Sequence, residues 1–283
     1  MIVRASLALA VALLITACAA RPTCAIEPLP PGPPFLWRVQ RDGGPVVWLY
    51  GTVHNGGADG VPAAAWTALA ASRRFTSELG DLEPDREQLR RLASLPRGKG
   101  LDFLLPQDDW WDLRDALTGV IKPDELRRVR PWYAMSLLTG KVAPSPSPTM
   151  DVALARRAKS AGLPVDHLET WGEQLPLLAD AVGIPDLQEA IHARGTMRCD
   201  LDRMRASYDA GSAERMSRHL NVAGSGKLLT DRNARWLPVI EGYLAGDGAF
   251  VAVGLSHLLE DGGLPARLAA RGYSVERATT TVP

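Results

Sequence analysis

The sequence predicts an α/β fold: a central β-sheet built from the N- and C-terminal segments of the chain, flanked by helices, with a largely helical middle region. Three observations carry that prediction. A strand, loop, helix and strand follow one another over residues 35–79. Helix signals dominate the middle of the chain. Near the end, the apolar run "AFVAVGLSHL" leads into a short helix and a last strand.

The elements follow in order. "FLWRVQRDGGPVVWLYGT" reads as a hairpin, with strands at 35–39 and 46–50 and a turn at Asp42-Gly43-Gly44. "VPAAAWTALAAS" is a helix with Pro62 near its first turn. "RRFTSELG" is a second strand that ends near Glu78, although it is polar for a buried sheet. Pro106 opens a helical segment carrying Trp110 and Trp111, and Pro123 opens another running towards Leu138. From Thr149, "TMDVALARRAKSAG" is a helix with Thr149 as N-cap, Asp151 in the first turn and Gly162 past its end. "LPVDHLET" is a strand, and a helix starts near Trp171. Residues 185–222 are helical with arginine-rich faces. "TDRNARWLPVIEGYLAGDG" is a helix capped by Thr230 or Asp231, with Trp236, Ile240 and Leu244 on one face. "GLPARLAARGY" and "YSVERA" supply the last helix and strand.

Length and composition bound the class. A chain of 283 residues, 46% of them hydrophobic, can bury a sizeable core. Lys and Arg number 32, and Asp and Glu also 32. This balance, with no basic stripe, argues against nucleic acid as a partner.

The first residues read as a targeting segment. "MIVRASLALAVALLITACAARPTCA" has Arg4, then an apolar run too short to span a bilayer, which fits a secretory signal at 1–25. Ile15-Thr16-Ala17-Cys18 resembles a bacterial lipobox, in which the cysteine is lipidated and becomes the new N-terminus. The competing reading is ordinary cleavage after small residues, at Ala17-Cys18-Ala19 or at Thr23-Cys24-Ala25. Either way the protein is expected in the periplasm or on the outer membrane, touching a membrane only through an N-terminal lipid. Residues 26–34 form a proline-rich linker and 35–283 a single domain. Cys24 and Cys199 can pair in an oxidising compartment, or stand as two free thiols.

One long-range echo points to a site. "VVWLYGTVH" at 46–54 is matched by "AFVAVGLSH" at 249–257, each an apolar strand ending in Gly-x-x-His. Two of the five histidines, His54 and His257, sit in this context. Active sites of α/β proteins gather at the carboxyl ends of strands, and glycine lets the chain leave a sheet or approach a ligand closely. Glu78, ending a third strand, adds a carboxylate. Two imidazoles and a carboxylate make a sufficient ligand set for manganese, cobalt or zinc. The spacing predicts Gly51 and Gly254 side by side, His54 and His257 within reach of one ion, and Glu78 opening onto the same crevice.

Other residues carry plainer expectations. Glu169, at the end of the "VDHLET" strand, either faces the cleft or, as the favoured reading, caps the next helix with Thr170. His167 is structural or exposed, His192 and His219 are solvated, and Trp236 is core. No HExxH, Gly-x-Ser-x-Gly elbow or P-loop is present. Ser256 beside His257 makes a poor dyad, because adjacent strand residues face opposite ways.

"YGTVHNG", the acid of "SELGD", "MDVALARRAKSAGLPVDHLETWGEQL", "DRNARWLPVIEGYL" and "FVAVGLSHLLEDGGLPARLAARGYSV" together resemble the TraB/GumN family, which includes the Tiki metalloproteases that trim Wnt ligands. The resemblance covers about 35–280. It implies an α/β fold with a metal-dependent hydrolytic site in at least some members. It places the paired motifs on His54 and His257, the acid on Glu78, and a helical Arg-Asn pair on Arg232 and Asn233. The expected activity is an exported, metal-dependent hydrolase acting on a peptide or protein, with those five residues in the site. A metal-free hydrolase using His and Glu, and a non-catalytic envelope protein binding a peptide, glycan or signal in the same cleft, remain open alternatives.

Overall fold

A computed structural model describes residues 24–80, 86–221 and 226–279. Residues 1–23, with Cys18 and all but the last two residues of the expected signal segment, lie outside the described residues. Six strands form one sheet: β1 (Leu36–Gln40), β2 (Val47–Thr52), β3 (Phe75–Leu79), β4 (Val165–Glu169), β5 (Ala249–Gly254) and β6 (Ser274–Arg277). Their order across the sheet is β4-β3-β5-β2-β1-β6. β4, β3, β5 and β2 run parallel, while β1 pairs antiparallel with β2 and β6.

This order departs from the expected sheet in one respect: β4 comes from the middle of the chain. Otherwise the ends interleave as expected, because β5 slots between β2 and β3. The carboxyl ends of the four parallel strands therefore meet along one edge, and the sheet order changes direction there. A crevice belongs at such a point.

β2 and β5 are apolar and buried on both faces, as parallel strands covered by helices should be. Burying one Val, Leu or Phe side chain contributes roughly 1.5–3 kcal/mol. Phe75 stacks on Phe250, which meets Tyr50 at a tilt, across β3, β5 and β2, and Trp236, Ile240 and Leu244 of the helix Gly226–Ala245 belong to the same core. β3 is buried despite its polar residues, because Ser77 and Glu78 find partners inside.

The helical middle has its own apolar cluster, built on Leu101, Leu113, Leu126, Leu138, Leu187 and Ile191. Within it the expected run from Pro123 to Leu138 is two helices, Pro123–Leu126 and Pro131–Val142. Pro131 cannot donate to the turn before it and starts the second helix instead. Thr149 caps Met150–Ser160 as expected, its hydroxyl accepting from the Val152 N–H at 3.4 Å. Thr230 and Asp231 are not caps. The helix begins at Gly226, so both lie inside it.

Cys24 and Cys199 are bridged, with Cα atoms 5.2 Å apart. The proline-rich stretch after Cys24 lies against the fold: the Gly32 N–H donates to the Ala210 carbonyl at 2.8 Å, and Arg215 pairs with Glu27 at 2.8 Å. No helix among the described residues is long and apolar enough to cross a membrane.

Candidate active site at the strand ends

β2 and β5 lie side by side, but the two Gly-x-x-His motifs are one residue out of step. Gly51 is opposite Val253, and Thr52 is opposite Gly254. After Gly254 the chain turns at once into a 3-10 turn, Leu255–Leu258, which tucks His257 inside at 1% exposure. After Thr52 the chain runs outward, and the His54 side chain is 82% exposed. The echo thus yields one buried and one exposed imidazole.

The glycines serve close approach. A Cβ on Gly51 would fall 2.5 Å from Cδ1 of Leu255. A Cβ on Gly254 would fall 3.2 Å from Oε2 of Glu78, which instead accepts the Gly254 N–H at 2.8 Å. Neither glycine has a positive φ.

Asn233 fixes His257. Its Nδ2 donates to the carbonyls of Gly262 (3.0 Å) and His257 (3.3 Å), so Oδ1 must face the ring, 2.6 Å from Nδ1. An amide oxygen only accepts, so Nδ1 carries the proton and Nε2 keeps its lone pair. Among the described residues, Nε2 has no hydrogen-bond partner. Trp236 packs on the ring with centroids 4.3 Å apart. Burial pushes the His257 pKa down to about 3, against the pull of Glu78, so the ring is neutral at pH 7.

Glu78 is buried too. Its Oε1 accepts from Arg232 and, at 3.0 Å, from Gln174. Burial pushes this carboxyl up, but the electrostatic pull of its neighbours His257, Arg232 and His54, with the Gly254 N–H, outweighs it and holds the pKa near 2. Arg232 also grips Glu169 with a two-pronged contact, Nε to Oε2 at 3.0 Å and Nη2 to Oε1. One guanidinium thus serves two buried carboxylates, and Arg235 stands 3.8 Å from Glu169. Burial leaves the Glu169 pKa raised despite Arg232.

Sequence reasoning missed Gln174 as a member of the crevice, and for Glu169 it favoured a helix cap over the cleft. Glu169 does not cap the following helix; Glu173 does, accepting from the Thr170 N–H at 2.8 Å. The available signal was positional, since Glu169 ends a parallel strand as Glu78 does. His167 is exposed as expected. His192 and His219 have partners: Nε2 of His192 lies 2.7 Å from Asp109, and Nε2 of His219 lies 3.2 Å from Ser207. Ser256 lies on the 3-10 turn rather than a strand, and it lines a cavity of about 120 Å³ with Leu229, Thr230, Asn233, Leu259 and Glu260.

The expected three-ligand centre is not gathered. Among the described residues no three His, Cys, Asp or Glu side chains converge closely enough to hold a metal ion. His54 turns towards Asp151, its Nδ1 3.9 Å from Oδ2, and both Glu78 oxygens already accept hydrogen bonds. The donor chemistry nonetheless fits a divalent ion: a neutral imidazole with a free Nε2, an ionised carboxylate, and a second imidazole, His54, two residues past the end of the neighbouring strand β2.

No curated protein and no solved structure matches the chain. The TraB/PrgY/gumN family matches it over residues 35–277, a span that begins one residue before β1, ends with β6 and encloses every group of the crevice, and the chain belongs to that family.

Proposed function

We propose that the protein is an exported hydrolase that cleaves a peptide or protein substrate at the crevice formed by His54, Glu78, Arg232, Asn233 and His257. One observation carries the reading: a buried, neutral imidazole whose tautomer is set by Asn233 presents a free Nε2 beside an ionised carboxylate at the joined ends of parallel strands. Such a nitrogen is either a base or a metal ligand.

His257, Glu78 and, after a side-chain rotation, His54 would hold a manganese, cobalt or zinc ion. When bound, that ion supplies an activated water and polarises a carbonyl. Asn233 holds the His257 ring in place. Arg232 keeps Glu78 ionised and fixes its direction. A metal-free variant, with a histidine as general base, is favoured by the occupied oxygens of Glu78.

Export is supported by the Cys24–Cys199 bridge, since disulfides persist in oxidising compartments. The bridge also requires Cys24 in the mature chain, which favours processing at Cys18 over cleavage after Ala25.

The test is elemental analysis of tag-free protein, beside cleavage of a mixed peptide library with and without chelator. Bound metal and chelator-sensitive turnover are expected. Turnover that persists without metal selects the metal-free reading. A chain that binds peptides but cleaves none is a binding protein, and the proposal falls.

A further inference from the structure

His257 has Asn233 to set its tautomer, while His54 is exposed and has no amide at its Nδ1. The chain offers a carboxylate instead. Thr52, the last residue of β2, is 1% exposed, and its hydroxyl lies 2.8 Å from Oδ1 of Asp151. The same hydroxyl is 3.3 Å from the Val253 carbonyl. It has one proton, and the shorter contact to a charged acceptor takes it. Asp151 is thereby held by a buried group, at the second residue of the helix Met150–Ser160, where the helix dipole favours a negative charge. Its other oxygen, Oδ2, faces Nδ1 of His54 at 3.9 Å, a separation that one water or a small rotation closes.

We propose that Asp151 is a positioning residue for His54. Held by Thr52, it draws the proton of His54 to Nδ1 and leaves Nε2 to face the crevice, so that both histidines offer the same nitrogen. Asn233 acts on one ring through an amide oxygen, and Asp151 on the other through a carboxylate. The catalytic part of this rests on the hydrolytic reading of the crevice; the tautomer does not.

The plain alternative is that Asp151 only favours the helix start. Asp151→Asn separates the two, because asparagine is accepted in the first turn and its Oδ1 still accepts from Thr52. Its NH2 would then face His54, donate to Nδ1 and drive the proton to Nε2.

The experiment is nitrogen-15 NMR of histidine-labelled full-length protein at a pH where His54 is neutral, with His54→Ala to assign the signals. The wild type should show His54 protonated at Nδ1. Asp151→Asn should move the proton to Nε2, and Asp151→Glu should restore it in part. Thr52→Val should weaken the preference, and the His257 signals should stay put in every variant, which also reports an intact fold. A wild-type His54 protonated at Nε2, or a tautomer unchanged in Asp151→Asn, overturns the proposal. Peptide turnover measured in parallel keeps the two readings apart. Wild type without turnover but with the expected tautomers sinks the hydrolase and leaves Asp151 in its role.

Discussion

Oδ1 of Asn233 stands 2.6 Å from Nδ1 of His257, and this contact decides which nitrogen of the ring is free. Asn233 is itself fully buried, so its chemical and structural roles cannot be separated by simple truncation. Asn233→Ala should strand a buried N–H and the carbonyl of His257, while the Gly262 carbonyl keeps its bond from Arg267, at a cost of about 1–3 kcal/mol. Asn233→Asp should keep the acceptor facing the ring but lose the donors to His257 and Gly262. Thermal melting beside turnover checks this. Asn233→Ala that melts like wild type would remove the amide from the account.

The two histidines should respond oppositely to deletion. His54→Ala removes an exposed side chain and should shift stability by no more than about 0.5 kcal/mol. His257→Ala empties a buried site between Trp236 and Asn233 and should lower the melting temperature clearly. Turnover should fall by orders of magnitude in both. If added manganese or zinc stabilises both variants as much as wild type, any ion binds elsewhere.

Acid should unfold the protein through His257 first. The unfolded imidazole titrates near 6.5, and the folded one near 3. Below about pH 6.5 the unfolded chain therefore binds a proton that the folded chain refuses. Stability is complete above that pH and falls as pH drops towards 3, by about 1.4 kcal/mol per pH unit. Glu78, lowered to about 2, acts in the same direction, but only from about pH 4.3 downwards. Urea midpoints between pH 7.5 and 4.5 should therefore decline in wild type and flatten in His257→Gln. An equal decline in both would move the acid sensitivity to another group.

Trp236 is core, as its helical spacing suggests, yet it also touches the site. Its ring lies 4.3 Å from His257 and 4.8 Å from the guanidinium carbon of Arg232. Trp236→Ala should cost about 3–5 kcal/mol and reduce turnover as well. Its Nε1–H is buried with no partner among the described residues, so Trp236→Phe gives up no hydrogen bond there. That variant should be much milder in both assays, and a loss as large as that of Trp236→Ala would show that the indole makes a bond absent here.

Breaking the Cys24–Cys199 bridge should leave the crevice untouched. Cys199→Ser should lower stability by about 2–5 kcal/mol. Ion binding and turnover measured well below the new melting temperature should match wild type. A selective loss of turnover would tie the N-terminal segment to the site.

Much of this was legible in the sequence. Apolar runs ending in Gly-x-x-His located β2, β5 and their neighbourhood, because a doubly buried parallel strand has to be apolar and its end has to turn. Thr149 and Gly162 marked a helix whose ends the structure reproduces. What stayed hidden depends on register and partners. A one-residue offset between β2 and β5 sends His54 outward and His257 inward, and no local pattern records an offset between strands almost 200 residues apart. Glu169 looked like a cap, because Thr170 and Glu173 form one beside it. Its bond to Arg232 is made across the fold, where spacing along the chain says nothing.

The crevice draws Glu78 from β3, Glu169 from β4, His257 from the turn after β5, and Arg232 and Asn233 from one late helix. A ribosome delivers these parts in order, with about 200 residues between His54 and His257. At 5–20 residues per second that gap is roughly 10–40 s of synthesis. Until β5 is inserted between β2 and β3, Glu78 lacks the Gly254 N–H, and His257 has no pocket in which to stay neutral, although Arg232 already has Glu78 and Glu169 to bridge. The crevice is therefore completed last, as a property of the finished chain, and an N-terminal fragment lacks His257, Asn233 and Arg232.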